Sequence, residues 1–320
     1  MSIGHLALGV VVTLVWGFNF VVIRIGLDSF DPYLLATLRF ALCCLPAIFF
    51  FKKPDVPFRH LASYGLVLGF FQFGLLFAGI DAGLSAGLAS IVLQLQVFFT
   101  IGLAALVFRE RVNPAQVTGM ALAAGGMALI AAGVSDGSAT VLGVLLVTGA
   151  AASWGLANII VKKAQTEDFL AFMVWSSLIP PVPLLLLTLW LSGPASVADS
   201  LTDLSWASVG SVLYLVYPTT LFGYAVWNRL LRRYSTALVA PLTLLVPLFG
   251  MASSMIVLGE RLSAVKVFAA LLVISGLVVT QVRWSAVLRR RSGGASPEAA
   301  PVPPQSTGPR DAEPEPESAR

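Results

Sequence analysis

Residues Gly87–Val112, GLASIVLQLQVFFTIGLAALVFRERV, are similar to residues Ala237–Leu262, ALVAPLTLLVPLFGMASSMIVLGERL. The two stretches align without gaps at an offset of 150 positions, so that Glu110 falls on Glu260. Each consists mostly of apolar residues over about 20 positions, the length that crosses the hydrocarbon core of a bilayer as a helix. We interpret the two stretches as copies of one membrane-crossing unit.

A second pair of similar stretches shows how far the duplication extends. Trp16–Arg24, WGFNFVVIR, resembles Trp154–Lys162, WGLANIIVK, at an offset of 138 positions, and Gly126 falls on Gly276 at the offset of 150. The similarities cover the beginning, middle and end of each half of the chain. We therefore predict an internal repeat in which each half is one folded unit.

The composition of the 320-residue chain is that of a membrane protein. Hydrophobic residues make up 57% of the chain, charged residues make up 11%, and the mean hydropathy is +0.87. Soluble domains are about one-quarter charged, and a chain this apolar could not keep its surface out of water. We expect it to lie in a lipid bilayer and to have no nucleic-acid partner.

Apolar runs bounded by charged residues, Pro or Gly predict ten membrane-spanning helices. Their approximate positions are 6–25, 33–51, 61–80, 87–108, 114–133, 141–161, 169–191, 206–227, 237–258 and 265–282. The connections are short, which leaves no room for an inserted soluble domain. No basic segment precedes the first run and nine more follow, so we expect no cleaved signal peptide.

Five spans make one copy of the repeat, and an odd number forces the second copy to enter the membrane upside down. The predicted fold is an all-α integral membrane protein, with ten transmembrane helices arranged as two inverted five-helix repeats around a central cavity. The repeats cover 4–134 and 141–282, and 283–320 has the Pro, Ala and Glu content of a disordered cytoplasmic tail. Inverted repeats are typical of secondary transporters with midplane sites and alternating access.

Lysine and arginine are concentrated on one side of the predicted topology. With the N-terminus inside, ten fall in the cytoplasmic loops and about three fall outside. The cytoplasmic set is Lys52, Lys53, Arg59, Arg109, Arg111, Lys162, Lys163, Arg229, Arg232 and Arg233, and the outer set is Arg24, Arg261 and Lys266. The positive-inside rule therefore predicts that both termini are cytoplasmic.

Two glutamines interrupt the apolar run of the fourth span. An unpartnered amide in hydrocarbon costs several kcal/mol, roughly, so Gln94 and Gln96 should face protein or a wet cavity. They lie about 200° apart around an α-helix, and both cannot face one cavity squarely. We expect one to line the solute pathway and the other to hydrogen-bond a neighbouring helix, and the spacing leaves open which does which.

Aromatic and amide side chains at helical spacing complete the predicted site. Each repeat places an indole and an amide on one helix face, and the eighth span carries a tyrosine stripe. Such residues suit a small zwitterionic or amphiphilic solute. The alternative is that Trp and Tyr form interfacial belts or pack helices, which we expect for Trp190 and Trp206. The predicted substrate-binding residues are Trp16, Asn19, Gln94, Gln96, Trp154, Asn158, Tyr217 and Tyr224.

Charged residues near the spans are expected to have structural roles. Arg39 lies within the second span, about six residues from its outer end. We expect it to snorkel to the interface or to cap helix carbonyls, and binding of a substrate carboxylate is the alternative. Glu110 and Glu260 lie at span ends, where ion pairing and helix capping explain them.

Motifs of enzymatic chemistry are missing from the sequence. His5 and His60 lie at span edges, and the adjacent Cys43 and Cys44 suit apolar packing. The chain has no G-x-x-x-x-G-K-[ST] loop, no Asp-rich diphosphate motif and no Cys/His cluster. We expect no catalytic activity, no metal and no cofactor, and no mid-span carboxylate presents itself as a proton carrier.

Four segments are similar to a known family: WGFNFVVIRIGL near the start, LRFALCCLPAIFFF, GLASIVLQLQVFFT and the paired RERV and GERL. Over about residues 4–282 the chain resembles the EamA-type drug/metabolite transporters, and within them the O-acetylserine/cysteine exporter branch. The resemblance implies a bacterial inner-membrane exporter of cysteine-pathway or other small amino-acid metabolites. Two alternatives remain open: the same fold exporting another metabolite or drug, such as aromatic amino acids or purines, and a membrane sensor that signals through its tail.

Overall fold

The computed structural model describes residues 1–132, 139–234, 236–261 and 263–281, and the regular elements in these ranges are all helices. In chain order they are α1 (Ile3–Leu27), α2 (Pro32–Ala47), α3 (Phe58–Asp81), α4 (Ala86–Phe108), α5 (Pro114–Ala132), α6 (Val141–Ala164), α7 (Phe169–Leu191), α8 (Gly193–Thr202), α9 (Trp206–Arg233), α10 (Ala240–Val257) and α11 (Ala264–Gln281), with one further helical turn, Thr236–Val239, directly before α10. Among the described residues, seven helices are long and apolar enough to cross a membrane, namely α1, α3, α4, α6, α7, α9 and α10. The apolar helices α2, α5 and α11 are shorter.

The all-helical class predicted from the sequence is thereby confirmed for the described residues, and seven of their helices fit a membrane protein. A chain surrounded by lipid must satisfy its backbone groups internally, and a helix does so within one segment. The predicted tail 283–320 lies outside the described residues.

Side-chain caps fix where several helices begin. Asp31 accepts hydrogen bonds from the backbone N–H groups of Tyr33 and Leu34 at the start of α2, and Pro32 takes the first helical position. Asp168 Oδ1 likewise accepts hydrogen bonds from two backbone N–H groups in the first turn of α7. Because the first N–H groups of a helix have no partner within it, these short polar residues define the junctions between apolar segments.

Glycines allow two pairs of helices to pack very closely. A Cβ on Gly17 of α1 would lie 2.5 Å from the Cβ of Phe249 on α10, and a Cβ on Gly155 of α6 would lie 2.7 Å from the Cβ of Phe99 on α4. Only glycine permits this approach. Gly155 matches Gly17, and Phe249 matches Phe99, at the two offsets found in the sequence. The duplicated segments therefore make duplicated contacts.

Helices α5 and α11 form a further close pair. A Cβ on Gly119 would lie 2.5 Å from the carbonyl oxygen of Gly276, and a Cβ on Gly276 would lie 2.5 Å from the carbonyl oxygen of Gly119. Gly126 is held as closely against the carbonyl oxygen of Ala269, at 2.7 Å. The small residues of the two helices let their backbones touch.

Three contacts bring helix ends together at what we call the basic end. The backbone N–H of Ser2, before α1, donates to the Tyr234 hydroxyl after α9 at 3.3 Å. Arg232 Nη2 donates to the carbonyl oxygen of Glu167 between α6 and α7 at 3.4 Å. Lys162, near the end of α6, forms an ion pair with Glu110, which follows α4.

Another set of contacts joins the opposite end of the bundle. The backbone N–H of Ala86, at the start of α4, donates to Glu260 Oε1 after α10 at 2.8 Å. The Thr140 hydroxyl, before α6, donates to the carbonyl oxygen of Ala82 after α3 at 2.6 Å. Ser192, after α7, donates to Asp31 Oδ2, before α2, at 2.8 Å.

Segments with a changed helical repeat occur inside four helices. Gly65–Gln72 in α3 and Leu215–Phe222 in α9 are π-helical, and these two ranges are also related by the offset of 150. Leu93–Leu95 in α4 and Ala240–Leu244 in α10 are 3₁₀-helical. Pro218 lies within the π-helical part of α9 and has no N–H to donate, which disturbs the regular α-helical pattern there.

Candidate functional site: a cavity inside the helix bundle

A cavity of about 480 Å³ lies among eight of the helices. Its described wall comes from α1, α2, α3, α4, α6, α7, α9 and α10. The size falls within the range of small-molecule sites in proteins. Both halves of the chain contribute to the cavity, and α5 and α11 contribute none of its described lining.

The structure places seven of the eight predicted substrate-binding residues on the wall of this cavity. They are Trp16, Asn19, Gln94, Gln96, Trp154, Asn158 and Tyr224. They come from α1, α4, α6 and α9. The position of these side chains is now defined, and their contact with a solute remains a prediction.

Tyr217 is the exception, since the structure does not place it on the cavity wall. Its side chain is 49% exposed and does not line the cavity. In a regular α-helix, residues 217 and 224 would share a face. The segment Leu215–Phe222 is π-helical, and a turn closed by i→i+5 bonds holds more residues than an α-helical turn. Tyr217 and Tyr224 therefore point to different sides.

Gln94 and Gln96 both line the cavity, which differs from the expectation that only one would do so. The reason is the 3₁₀ segment Leu93–Leu95. At three residues per turn, positions i and i+2 lie about 120° apart, compared with about 160° in an α-helix, which is the rotation of about 200° measured the other way round. The tighter turn lets both amides reach the same space.

Gln96 also joins two helices through a small polar network. Asn158 Nδ2 donates to Gln96 Oε1 and to the Thr100 hydroxyl oxygen, each at 3.0 Å. The Thr100 hydroxyl in turn donates to the backbone carbonyl of Gln96 at 2.6 Å. The network ties α4 to α6 on the cavity wall, so the expected bond to a neighbouring helix is made by Gln96.

An aromatic group covers another part of the wall. Trp16 Nε1 donates to the carbonyl oxygen of Thr219 at 3.0 Å. Its ring centre lies 5.4 Å from that of Tyr224 and 5.1 Å from that of Trp227. Ring pairs at these separations attract one another. Trp16 thus belongs to the cavity, whereas Trp206 is 92% exposed, as expected for an interfacial belt.

Arg39 lies on the cavity wall, and the expectation that it snorkels or caps helix carbonyls is wrong. The side chain is only 3% exposed. Nη2 donates to the Thr220 hydroxyl oxygen at 3.1 Å, and the guanidinium carbon lies 4.0 Å from the centre of the Phe73 ring. The inward orientation arises because α3 and α9 supply an aromatic face and an acceptor.

Several residues that line the cavity are not among the predicted substrate-binding residues. Tyr64, Gln72, Thr219 and Trp227 face the cavity, and Gln72 is almost fully buried. The signal available in the sequence was the same as for Gln94: an amide within an apolar run, in this case GLVLGFFQFG at 65–74. Thr219 carried no such signal, because a threonine hydroxyl in a membrane helix commonly bonds its own backbone.

The polar side chains of the described wall are neutral apart from Arg39, and none of them is a carboxylate. Nowhere in the described part of the chain do three or more metal-binding side chains come together. The cavity is therefore suited to binding a solute by hydrogen bonds, aromatic faces and the charge of Arg39.

The cavity extends towards the basic end. Val161 and Leu231, which line it, lie within three residues of the ends of α6 and α9. At the opposite end Glu260 accepts hydrogen bonds from the backbone N–H groups of Ala86 and Gly87, at 2.8 and 3.2 Å. These bonds join the start of α4 to the segment after α10.

Comparisons with known proteins agree with this architecture. The EamA-like transporter family matches residues 3–132 and again 141–281. A protein of Salmonella typhimurium named probable amino-acid metabolite efflux pump is 45% identical, over 86% of this chain and 93% of its own length. An Escherichia coli protein of the same name is 43% identical, over 88% and 96%. A crystal structure with 16% identity shares the fold at a TM-score of 0.59, covering 92% of this chain and all of the other. The chain is a multi-pass membrane protein and belongs to the EamA-like transporter family.

Proposed function

We propose that the protein exports small amino-acid metabolites, of the cysteine and O-acetylserine class, by alternating access around the central cavity. The observation that carries the proposal is the cavity itself, which both halves of the chain enclose and which amides, indoles and one arginine line. The names of the relatives from Salmonella and Escherichia coli support the substrate class. The protein is proposed to act as a carrier and not as an enzyme.

We infer ten membrane crossings arranged as two inverted repeats, 4–134 and 141–282. Helix direction supports the inversion: α1 begins at the basic end, beside Tyr234, and α6 begins at the opposite end, where Thr140 bonds Ala82. The matched contacts of Gly17 with Phe249 and of Gly155 with Phe99 support the repeat relation.

The basic end is proposed to face the cytoplasm of a bacterial cell, with the protein in the inner membrane. Lys162 and Arg232 lie at this end, as do Lys163 and Arg233 beside them in the chain. Basic residues are retained on the cytoplasmic side of membrane proteins. The N-terminus lies at the same end, because Ser2 bonds Tyr234.

On this orientation the structure corresponds to a cytoplasm-facing state. The cavity extends towards the basic end, and the bonds from Ala86 and Gly87 to Glu260 hold the other end together. A solute from the cytoplasm would enter beside Val161 and Leu231. Rocking of the two repeats would then open the other side.

The repeat relation also indicates how the opposite state is held. At the offset of 150, Glu110 is equivalent to Glu260, and residues 236–237 are equivalent to Ala86–Gly87. In the outward-facing state we expect Glu110 to leave Lys162 and to accept from the backbone at 236–237. The bonds of Glu260 would break at the same time, so one end closes as the other opens.

Export from cells tests the proposal. The protein is overexpressed in a bacterium that lacks its main cysteine exporters, and cysteine, O-acetylserine and the common amino acids in the medium are quantified by mass spectrometry. We expect cysteine or O-acetylserine to rise, and the rise to be absent in a Gln94→Leu/Gln96→Leu double variant. A rise in a different metabolite would exclude the proposed substrate class.

Removal of residues 285–320 discriminates the transporter from a sensor that signals through its tail. A transporter should keep its export rate without them, because the cavity lies entirely within the helices. Loss of all activity on deletion, with normal membrane insertion, would favour the sensor.

A further inference from the structure

Arg39 is a buried charge whose bonds are incomplete. A guanidinium group carries five N–H bonds and stays protonated in proteins. Nη2 bonds the Thr220 hydroxyl at 3.1 Å, whereas Nε and Nη1 are buried and have no hydrogen-bond partner. A charged group held away from water in a membrane protein is costly unless it is paired.

The orientation of the guanidinium is fixed from two sides. The Thr220 hydroxyl donates to the carbonyl oxygen of Leu215 at 2.8 Å, which leaves its oxygen free to accept from Arg39. The Phe73 ring lies under the guanidinium plane, 4.0 Å from its central carbon. The side chain is thus held in place before any solute binds, and its two unbonded nitrogens, enclosed by protein in this solute-free structure, still lack an acceptor.

Two further residues of the cavity wall carry donors that have no acceptor. Gln72 Nε2 and Asn228 Nδ2 are buried and have no acceptor. The described cavity wall contributes no aspartate or glutamate that could pair with Arg39. A ligand that completes these bonds must bring negative charge and more than one acceptor oxygen, and a carboxylate has both.

We propose that Arg39 binds the carboxylate of the transported solute and makes the cavity select amino acids over the corresponding amides and amines. Gln72 and Asn228 supply additional donors to the solute. The inference rests on the proposed export of amino-acid metabolites, which it makes more specific. It adds a residue and a chemical requirement: a solute without the carboxylate leaves the N–H groups of Arg39 unpaired and is rejected.

The remaining part of the wall suits the other end of such a solute. Asn19 Oδ1 is buried and unpartnered, and it is an acceptor. Trp16, Tyr224 and Trp227 present aromatic faces to the same cavity. An ammonium group is attracted to aromatic faces and to amide oxygens, so a zwitterion can be held without any acidic side chain.

Binding of matched ligands to the purified protein tests the inference. Thermal unfolding is followed with L-cysteine, with L-cysteinamide, which lacks the negative charge, and with cysteamine, which lacks the carboxyl group. We expect L-cysteine to bind wild type at least tenfold more tightly than either analogue. Arg39→Gln should lose this preference, and Arg39→Lys should retain part of it, because lysine keeps the charge without the fork of donors.

Controls separate loss of binding from loss of folding. Arg59→Gln removes an exposed arginine outside the cavity and should keep the full preference for L-cysteine. The unliganded melting temperature and the elution profile of Arg39→Gln report whether that variant is folded. A folded Arg39→Gln that still prefers L-cysteine at least tenfold, or a wild type that binds all three compounds equally or none of them, would overturn the proposal.

The same panel keeps the two proposals apart. Carboxylate-selective binding that depends on Arg39, in a protein that exports no amino acid from cells, would support the Arg39 site and contradict the proposed function. Export of an amino acid with no dependence on Arg39 would contradict the site and leave the function standing.

Discussion

Alanine at Gly17 or Gly155 should destabilise the protein, because each glycine lies at a helix contact that has no room for a methyl group. The new Cβ at Gly17 would lie 2.5 Å from Phe249 Cβ and 2.8 Å from the backbone nitrogen of Gly250. The new Cβ at Gly155 would lie 2.7 Å from Phe99 Cβ. Carbon atoms in contact stand about 3.5–4.0 Å apart, so each helix pair must separate by roughly 1 Å.

The expected magnitude follows from two opposing effects. Overpacking of a well-filled site costs about 1–3 kcal/mol, and alanine regains up to about 1 kcal/mol of helix propensity over glycine. We expect a net loss of about 1–2 kcal/mol in the free energy of unfolding for each variant. Gly102→Ala and Gly125→Ala are matched controls, since nothing lies within 4 Å of a Cβ at either position. These controls should be neutral or slightly stabilised.

Thermal unfolding of the four purified variants measures the difference. A change of 1 kcal/mol shifts the melting temperature of a protein of 150–250 residues by about 2–4 °C. Gly17→Ala and Gly155→Ala should therefore melt about 2–8 °C below the two controls. If all four variants melt together, the close packing of α1 on α10 and of α6 on α4 is wrong.

Three further predictions concern the cavity and its closed end. Gln94→Leu and Gln96→Leu should insert normally, and at least one of them should abolish export; full export by both would remove the glutamines from the solute pathway. Tyr224→Ala should lower the export rate, measured by mass spectrometry, at least tenfold, and Tyr217→Ala should leave it unchanged. Equal effects of the two substitutions would contradict the π-helical geometry of α9. Glu260→Gln should weaken the contact of Glu260 with the start of α4 by about 0.3–1 kcal/mol, the contribution of a negative charge at a helix N-terminus. A Ser85→Cys substitution should then react faster with an external maleimide. An unchanged labelling rate would rule out this contact as the element that closes the end opposite the basic end.

Much of the cavity could be predicted because polar residues in apolar runs are few and conspicuous. Trp16, Asn19, Trp154 and Asn158 were recognisable as indole and amide pairs in a duplicated segment, and all four line the cavity. The same duplication relates glycine contacts of α1 and α6 that no composition argument would have located. Repetition in the sequence is therefore informative about packing as well as topology.

The errors have a common physical cause, which is that side-chain direction depends on the local helical repeat. α-Helical spacing would put Tyr217 and Tyr224 on one face, but the segment around Pro218 is π-helical. α-Helical spacing would put Gln94 and Gln96 on different faces, but Leu93–Leu95 forms a 3₁₀ turn. A single sequence does not determine where such segments lie, because they depend on how neighbouring helices satisfy the backbone.

The inward orientation of the Arg39 side chain could not be predicted, for a different reason. Within the second span its surroundings in the sequence are apolar and suggest that the charge seeks the membrane surface. Its actual partners, Phe73 and Thr220, come from α3 and α9, and Thr220 is 181 positions away in the chain. Long-range contacts of this kind follow from the tertiary fold and not from spacing along one helix.

Counterflow in proteoliposomes tests the central claim most directly. The purified protein is reconstituted into vesicles loaded with unlabelled L-cysteine or O-acetylserine, and uptake of the labelled compound is measured. We expect rapid exchange by wild type and by the protein lacking residues 285–320, and no exchange above empty vesicles for the Gln94→Leu/Gln96→Leu variant. Exchange by that variant at the wild-type rate, or no exchange of any amino acid by wild type, would contradict an amino-acid exporter that works through this cavity.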